Sequence, residues 1–174
     1  MRIFKRFYPA GYMDGTYVID FKKYYDKGYR GILFDVDNTL VPHGAPASPR
    51  AIELFSRLHE MGFRTCLISN NKESRVKPFA DAVGTDYIYN AHKPSKKSYR
   101  KAFEIMHTKK GNTMFVGDQI FTDVYGANRV GMLTILVKPI HPKEEIQIVL
   151  KRYLEKIILW TYRHDKKYAD RKKH

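Results

Sequence analysis

The chain has 174 residues, 43% of them hydrophobic, with 32 Lys/Arg against 18 Asp/Glu for a formal net charge of +14. That length suits one domain with a terminal appendage, and its single cysteine, Cys66, excludes an internal disulfide and leaves too few soft ligands for a zinc site. No run approaches the ~18 apolar residues of a membrane span, and Met1 to Met13 lacks the apolar stretch of a signal peptide, so a cytoplasmic protein, at most peripheral on a membrane, is expected.

Residues 1–30 read as an N-terminal extension packed on a core, with Thr16 capping a helix over Tyr17–Lys27 and Gly28 stopping it. Gly31 to Asp35 is a short apolar run suited to a central strand buried on both faces. Pro42, Gly44 and Pro46 mark a loop. Ser48-Pro49 then opens a helix whose stripe is Ile52, Phe55, Leu58 and Met61, stopped by Gly62. Strand two is Arg64–Ser69, followed by a helix from about Ser74 to Val83 that contains Pro78. Strand three is Thr85–Tyr89, and a helix follows from Ser95 to Met106 with Tyr99, Phe103 and Met106 on one face. Strand four is Thr113–Val116, a helix covers Thr122–Val130, and strand five is Leu133–Val137. Alternating strands and helices of this length predict an α/β core over 31–139, with a parallel sheet between two helical layers.

Beyond Pro142, in the C-terminal part 140–174, Ile146, Leu150, Tyr153, Ile157 and Trp160 form an apolar stripe broadened by Val149, Leu154 and Ile158. Arg163–His174 reads as a polar tail. Such a helix can pack on the sheet, pair with a second subunit or lie on an anionic membrane, with Lys151, Arg152 and Lys156 on its polar side.

The chemistry-bearing residues close the strands. Asp35 and Asp37 end the first, in Asp35-Val36-Asp37-Asn38-Thr39. Ser69-Asn70-Asn71 ends the second, Lys93-Pro94 follows the third, and Gly117-Asp118-Gln119 with Asp123 ends the fourth. Parallel sheets bind ligands at the carboxyl ends of their strands. Unit charges ~4 Å apart repel by about 4 kcal/mol at an effective dielectric near 20, so several carboxylates gathered there require a cation. Cys66, inside an apolar strand, reads as packing rather than as a nucleophile. His43 and His92 read as bystanders.

In this order the four segments resemble the motifs of the haloacid dehalogenase (HAD) superfamily, over about residues 30–138. Asp37 to Pro42, Ser69-Asn70-Asn71, Ala91-His92-Lys93-Pro94 and Gly117-Asp118-Gln119 are similar to its capless YqeG-type members, and through them to phosphatidylglycerophosphate phosphatases. The resemblance implies a three-layer Rossmann-like core with five parallel strands in the order 3-2-1-4-5. It implies Asp35 as nucleophile, Asp37 as general acid and base, and Ser69, Asn70 and Lys93 around the phosphate. Mg2+ would be held by Asp35, the Asp37 carbonyl, Asp118 and Asp123. Only 28 residues separate Leu40 from Ser69 and 22 separate Asn70 from Lys93, which leaves no room for a cap domain. An open site suits a bulky phosphorylated substrate, including a membrane lipid. A phosphatase of nucleotides or nucleic-acid ends, with no stable nucleic-acid complex, and a non-catalytic basic binding module remain the alternatives.

Overall fold

A computed structural model of the chain describes residues 2–141 and 146–171, with side chains over 4–141 and 153–165. Six strands form one parallel sheet: β1 (Gly11–Met13), β2 (Gly31–Phe34), β3 (Arg64–Ile68), β4 (Asp86–Ile88), β5 (Thr113–Gly117) and β6 (Leu133–Val137). Their order is β1-β6-β5-β2-β3-β4. The five expected strands keep their order, and the sixth, β1, comes from the N-terminal segment and pairs with β6. Its three residues, Gly-Tyr-Met, are too few to show any alternation.

Alternation along β2 sorts the layers. Ile32 and Phe34 point to a face covered by α1 (Phe21–Asp26), α2 (Pro49–Glu60) and α3 (Glu73–Val83). Leu33 points to the other, against Tyr99, Ala102 and Met106 of α4 (Lys96–Met106) and Ala127 of α5 (Tyr125–Asn128). Burying such side chains stabilises the fold by about 1.5–3 kcal/mol each. Cys66 lies fully buried in the second layer, where burial pushes its thiol far above the ordinary range.

Several boundaries differ from expectation, each for a local reason. Thr16 does not cap a helix: its buried hydroxyl donates to the Thr39 carbonyl at 2.7 Å. A short 3-10 turn (Thr16–Val18) precedes α1, which Asp20 caps by accepting the Lys23 N–H at 3.2 Å. Ser48 caps α2 as its sequence suggests, accepting the Ala51 N–H at 3.2 Å. Ile52 faces solvent, because α2 turns Ala51, Leu54, Phe55 and Leu58 to the sheet. α3 accommodates Pro78 and ends at Gly84, in the left-handed region at φ 69°. The helix expected over Thr122–Val130 is a π-turn (Ile120–Val124) running into α5.

The last helix, α6 (Ile146–Arg171), extends well into the segment read as a tail. Its buried face is Glu155 and Ile158, packed with Ile120, Val124 and Leu136. Tyr153, Ile157 and Trp160 of the predicted stripe are exposed instead, as is Leu154. The Ile146, Val149, Leu150, Lys151 and Arg152 side chains and residues 142–145 and 172–174 lie outside the described residues.

Candidate active site

Residues at the carboxyl ends of β2, β3, β4 and β5 converge. Asp35 directly follows β2 and its N–H bonds the Val116 carbonyl of β5 at 2.9 Å. The chain then knots: the Val36 carbonyl accepts N–H bonds from Thr39 at 3.3 Å and Leu40 at 2.9 Å, and Asn38 takes φ 60°. That turn returns the buried Thr39 hydroxyl to Asp35 Oδ2 at 3.2 Å and Asp118 Oδ1 at 3.4 Å. A hydroxyl carries one proton, so it serves one carboxylate at a time.

The loop after β4 delivers Lys93, and the loop after β3 fixes it. The Ser69 and Asn71 carbonyls accept the N–H groups of Ala91 and Asn90, both at 2.9 Å. Asn70 Oδ1 accepts the Lys93 N–H at 2.7 Å. Lys93 Nζ then sits 2.6 Å from Asp35 Oδ1 and 2.7 Å from Asp123 Oδ1. The buried Ser69 hydroxyl accepts the Asn71 N–H at 3.1 Å and keeps its proton available.

Asp118 follows β5, and the π-turn swings Asp123 back so that its Oδ2 accepts the Gln119 N–H at 3.1 Å. Gly117 is required by crowding rather than by a special backbone angle: a Cβ there would stand 2.5 Å from Asp123 Oδ2 and 2.6 Å from Phe115. Below, Tyr99 donates to the Thr122 carbonyl at 2.6 Å.

Asp35, Asp118 and Asp123 are all buried, with carboxylate oxygens that lie within 4.8 Å of one another. Among the described residues, Lys93 is the ammonium paired to Asp35 and Asp123. Burial raises the Asp35 carboxyl to about 6, Lys93 opposes the rise, and Asp123 adds to it. Burial alone would lower the Lys93 ammonium, but the Asp123 and Asp35 charges outweigh it and hold the lysine well above its ordinary value. The donors are all oxygen, which fits a hard divalent cation rather than zinc.

The Asp37 side chain stands apart from this cluster. Its Oδ1 accepts from Arg75 at 2.8 Å and from the Gly44 N–H at 2.9 Å, and its Oδ2 accepts from Asn71 at 2.6 Å. Arg75 also bonds the Ala45 carbonyl at 2.8 Å, which pins the loop over Asp37. His43 and His92 are exposed. Sequence reasoning missed three contributors. Thr39 was visible as the last residue of its motif. Arg75, on a helix surface, and Glu155, in a long amphipathic helix, carry no local signal. Glu155 reaches the site loop as a buried carboxylate that accepts the Ile120 N–H at 2.8 Å.

Residues 43–131 match the family described as haloacid dehalogenase-like hydrolase. The chain is 38% identical over 156 residues to the probable phosphatase YqeG of Bacillus subtilis, covering 89% of this chain and 91% of that one. It belongs to the haloacid dehalogenase-like hydrolases. It is 27% identical over 158 residues to the chloroplastic/mitochondrial phosphatidylglycerophosphate phosphatase 1 of Arabidopsis thaliana, covering 79% of this chain but only 45% of that longer protein. The fold is shared with an uncharacterised protein from Listeria monocytogenes serotype 4b, at TM-score 0.52 and 19% identity, over 67% of this chain and 86% of that one. The protein is therefore a phosphatase of this family, and the non-catalytic binding module is set aside. Its connections β2–α2–β3 and β3–α3–β4 carry no cap domain.

Proposed function

We propose that the protein is a magnesium-dependent phosphomonoesterase working through an aspartyl-phosphate on Asp35, with a phosphatidylglycerophosphate-like lipid as its substrate. The observation that carries this reading is the convergence of Asp35, Asp118 and Asp123, two of them, Asp35 and Asp123, paired to Lys93. Asp35 and Asp118, with Asp123 beside them and the Asp37 carbonyl, would hold the magnesium ion, which when bound screens the phosphate charge. Lys93 steadies the Asp35 carboxylate and, with Ser69 and the Asn70 amide, orients the phosphoryl group.

An Asp35 carboxylate oxygen attacks phosphorus, the bond to the leaving oxygen breaks, and Asp37 gives that oxygen a proton. Asp37 then takes a proton from the water that attacks the same phosphorus, freeing phosphate and restoring Asp35. Both Asp37 oxygens are engaged by Arg75, Gly44 and Asn71, so this role requires Asp37 to exchange partners. Residues 31–139 carry every group in this scheme, and 1–30 and 140–174 are accessory to it.

The lipid reading draws support from the capless rim and from the name of the Arabidopsis relative. It implies peripheral contact with an anionic membrane, and among the described residues no helix is long and apolar enough to cross one. The test is phosphate release from phosphatidylglycerophosphate in detergent micelles, with and without magnesium, beside para-nitrophenyl phosphate, sugar phosphates and nucleotides. Magnesium-dependent release from the lipid, lost in Asp35→Asn, is expected. Release from nucleotides with none from the lipid would overturn the substrate.

A further inference from the structure

Large apolar side chains left in solvent are distributed unevenly over this molecule. Val18, 63% exposed, belongs to the turn whose Thr16 and Tyr17 hydroxyls bond the Thr39 and Leu40 carbonyls. Ile140 donates its N–H to the Asn38 carbonyl. Ile52 stands in the first turn of α2, and Tyr89 directly follows β4. In a parallel sheet, strand ends and the starts of the helices that follow them share one edge, which here is the edge that carries Asp35. Four exposed hydrophobic side chains on four elements therefore ring the active-site end of the protein.

Charge follows the same pattern. Arg50 lies in the first turn of α2, Lys96 and Lys97 open α4, and Lys72 is the N-cap of α3. Neither α2 nor α4 has an acidic residue in its first turn. A cation at the positive end of a helix dipole works against the helix, so local helix stability does not account for this placement. Asp20 caps α1 and Glu73 stands beside Lys72, so the positive part of the rim lies at the starts of α2 and α4.

α6 extends the surface. Its inner face holds Glu155 on the Ile120 N–H, beside the Asp118–Asp123 loop. Its outer face exposes Tyr153, Leu154, Ile157 and Trp160, the last by 68%. Lys156 lies against the Tyr153 ring with Nζ 5.0 Å from its centroid. Aromatic and aliphatic residues beside basic ones on a helix with polar flanks suit the boundary between headgroups and acyl chains.

We propose that the active-site end and the outer face of α6 together form a docking surface for an anionic lipid bilayer. It deepens the lipid-substrate reading of the same site and rests on it: a headgroup phosphate would reach Asp35 from the membrane without its acyl chains leaving the lipid. A second copy of the chain fits this surface poorly, because it would bring the same positive rim against itself. Nucleic acid leaves the aliphatic Val18, Ile52, Ile140 and Leu154 without a counterpart.

The protein's one tryptophan is on this face, which supplies the probe. Full-length protein is mixed with phosphatidylcholine vesicles with and without phosphatidylglycerol, followed by flotation and Trp160 emission. Binding only to the anionic vesicles, weakened by salt and accompanied by a blue shift, is expected. Ile157→Glu should reduce binding tenfold or more while the emission probe remains. Lys97→Glu should also reduce it by at least about fivefold, the factor one basic residue near such a surface contributes, with the reversed charge adding to the loss. Both variants should keep wild-type turnover of para-nitrophenyl phosphate, which verifies their fold. Absence of binding, equal binding by wild type and both variants, or a solution dimer that shields Trp160 from a soluble quencher would overturn the proposal. Lipid hydrolysis in micelles is scored separately, so a wrong substrate and a wrong docking face give different results.

Discussion

Asp35 and Asp37 are two residues apart, yet they live in different surroundings. Asp35 is buried against Thr39 from its own loop, Lys93 from the loop after β4, and two further carboxylates that both follow β5. Asp37 sits at the margin, held by one arginine, one amide and one backbone N–H from a loop and a helix surface. The first environment is fixed by burial and charge together. The second can be exchanged for another set of partners at small expense. Under the proposed mechanism Asp35 holds position while Asp37 moves a proton, and those roles would need these different degrees of constraint.

The sharpest way to break the comparison is Lys93→Ala. It leaves Asp35 and Asp123 buried without their cation, which should destabilise the metal-free protein by about 3–5 kcal/mol and abolish measurable turnover. Urea unfolding and para-nitrophenyl phosphate assays read both effects. Gly117→Ala comes next. Its Cβ would press on Asp123 Oδ2, and the displaced carboxylate should lower kcat on the order of 10²-fold, the scale of a misplacement of about 1 Å. An unchanged kcat would show that Asp123 can shift without consequence.

On the Asp37 side, Arg75→Ala should cost about 1–3 kcal/mol of stability, less than Lys93→Ala, because Asp37 keeps its bonds to Asn71 and Gly44. It should change kcat roughly tenfold, within the range for general acid–base groups, with KM for para-nitrophenyl phosphate held. A loss as large as that of Lys93→Ala would erase the distinction between the two carboxylates.

The smallest expected effect concerns pH. Asp35 is raised from 3.8 to about 6 in the folded protein. The folded state therefore holds this proton more tightly than the unfolded chain, and metal-free stability falls as pH rises through that interval. A bound divalent ion needs the ionised carboxylate, so magnesium should raise Tm more at pH 7 than at pH 5. Equal shifts at the two values would remove Asp35 from the ion's coordination.

The central strands were readable because burial on both faces leaves almost uninterrupted apolar runs, as in Ile32-Leu33-Phe34 and Met114-Phe115-Val116. Three of those strands, β2, β3 and β5, end in residues too polar for a core, and together with Lys93 after β4 they flagged the site segments. β1 gave no such sign, being three residues long on an edge. In α6 the apolar positions exceed one face, and periodicity alone could not tell which would pack. Glu155 marks the packed face, because its carboxylate accepts the first N–H of the π-turn, a tertiary contact that no local pattern encodes. Arg75 escaped for the same reason: its partner lies 38 positions away.

The hydroxyls of Thr16 and Tyr17 donate to the carbonyls of Thr39 and Leu40 at 2.7 and 2.6 Å. They fasten the knot behind Asp35 from a stretch of chain that carries no reacting group. Anyone trimming the protein to a minimal engine that starts at Gly31 would leave those two acceptors to water and slacken the turn they hold. The shortest fragment able to fold and the shortest one able to work at full speed are then different pieces of the polypeptide.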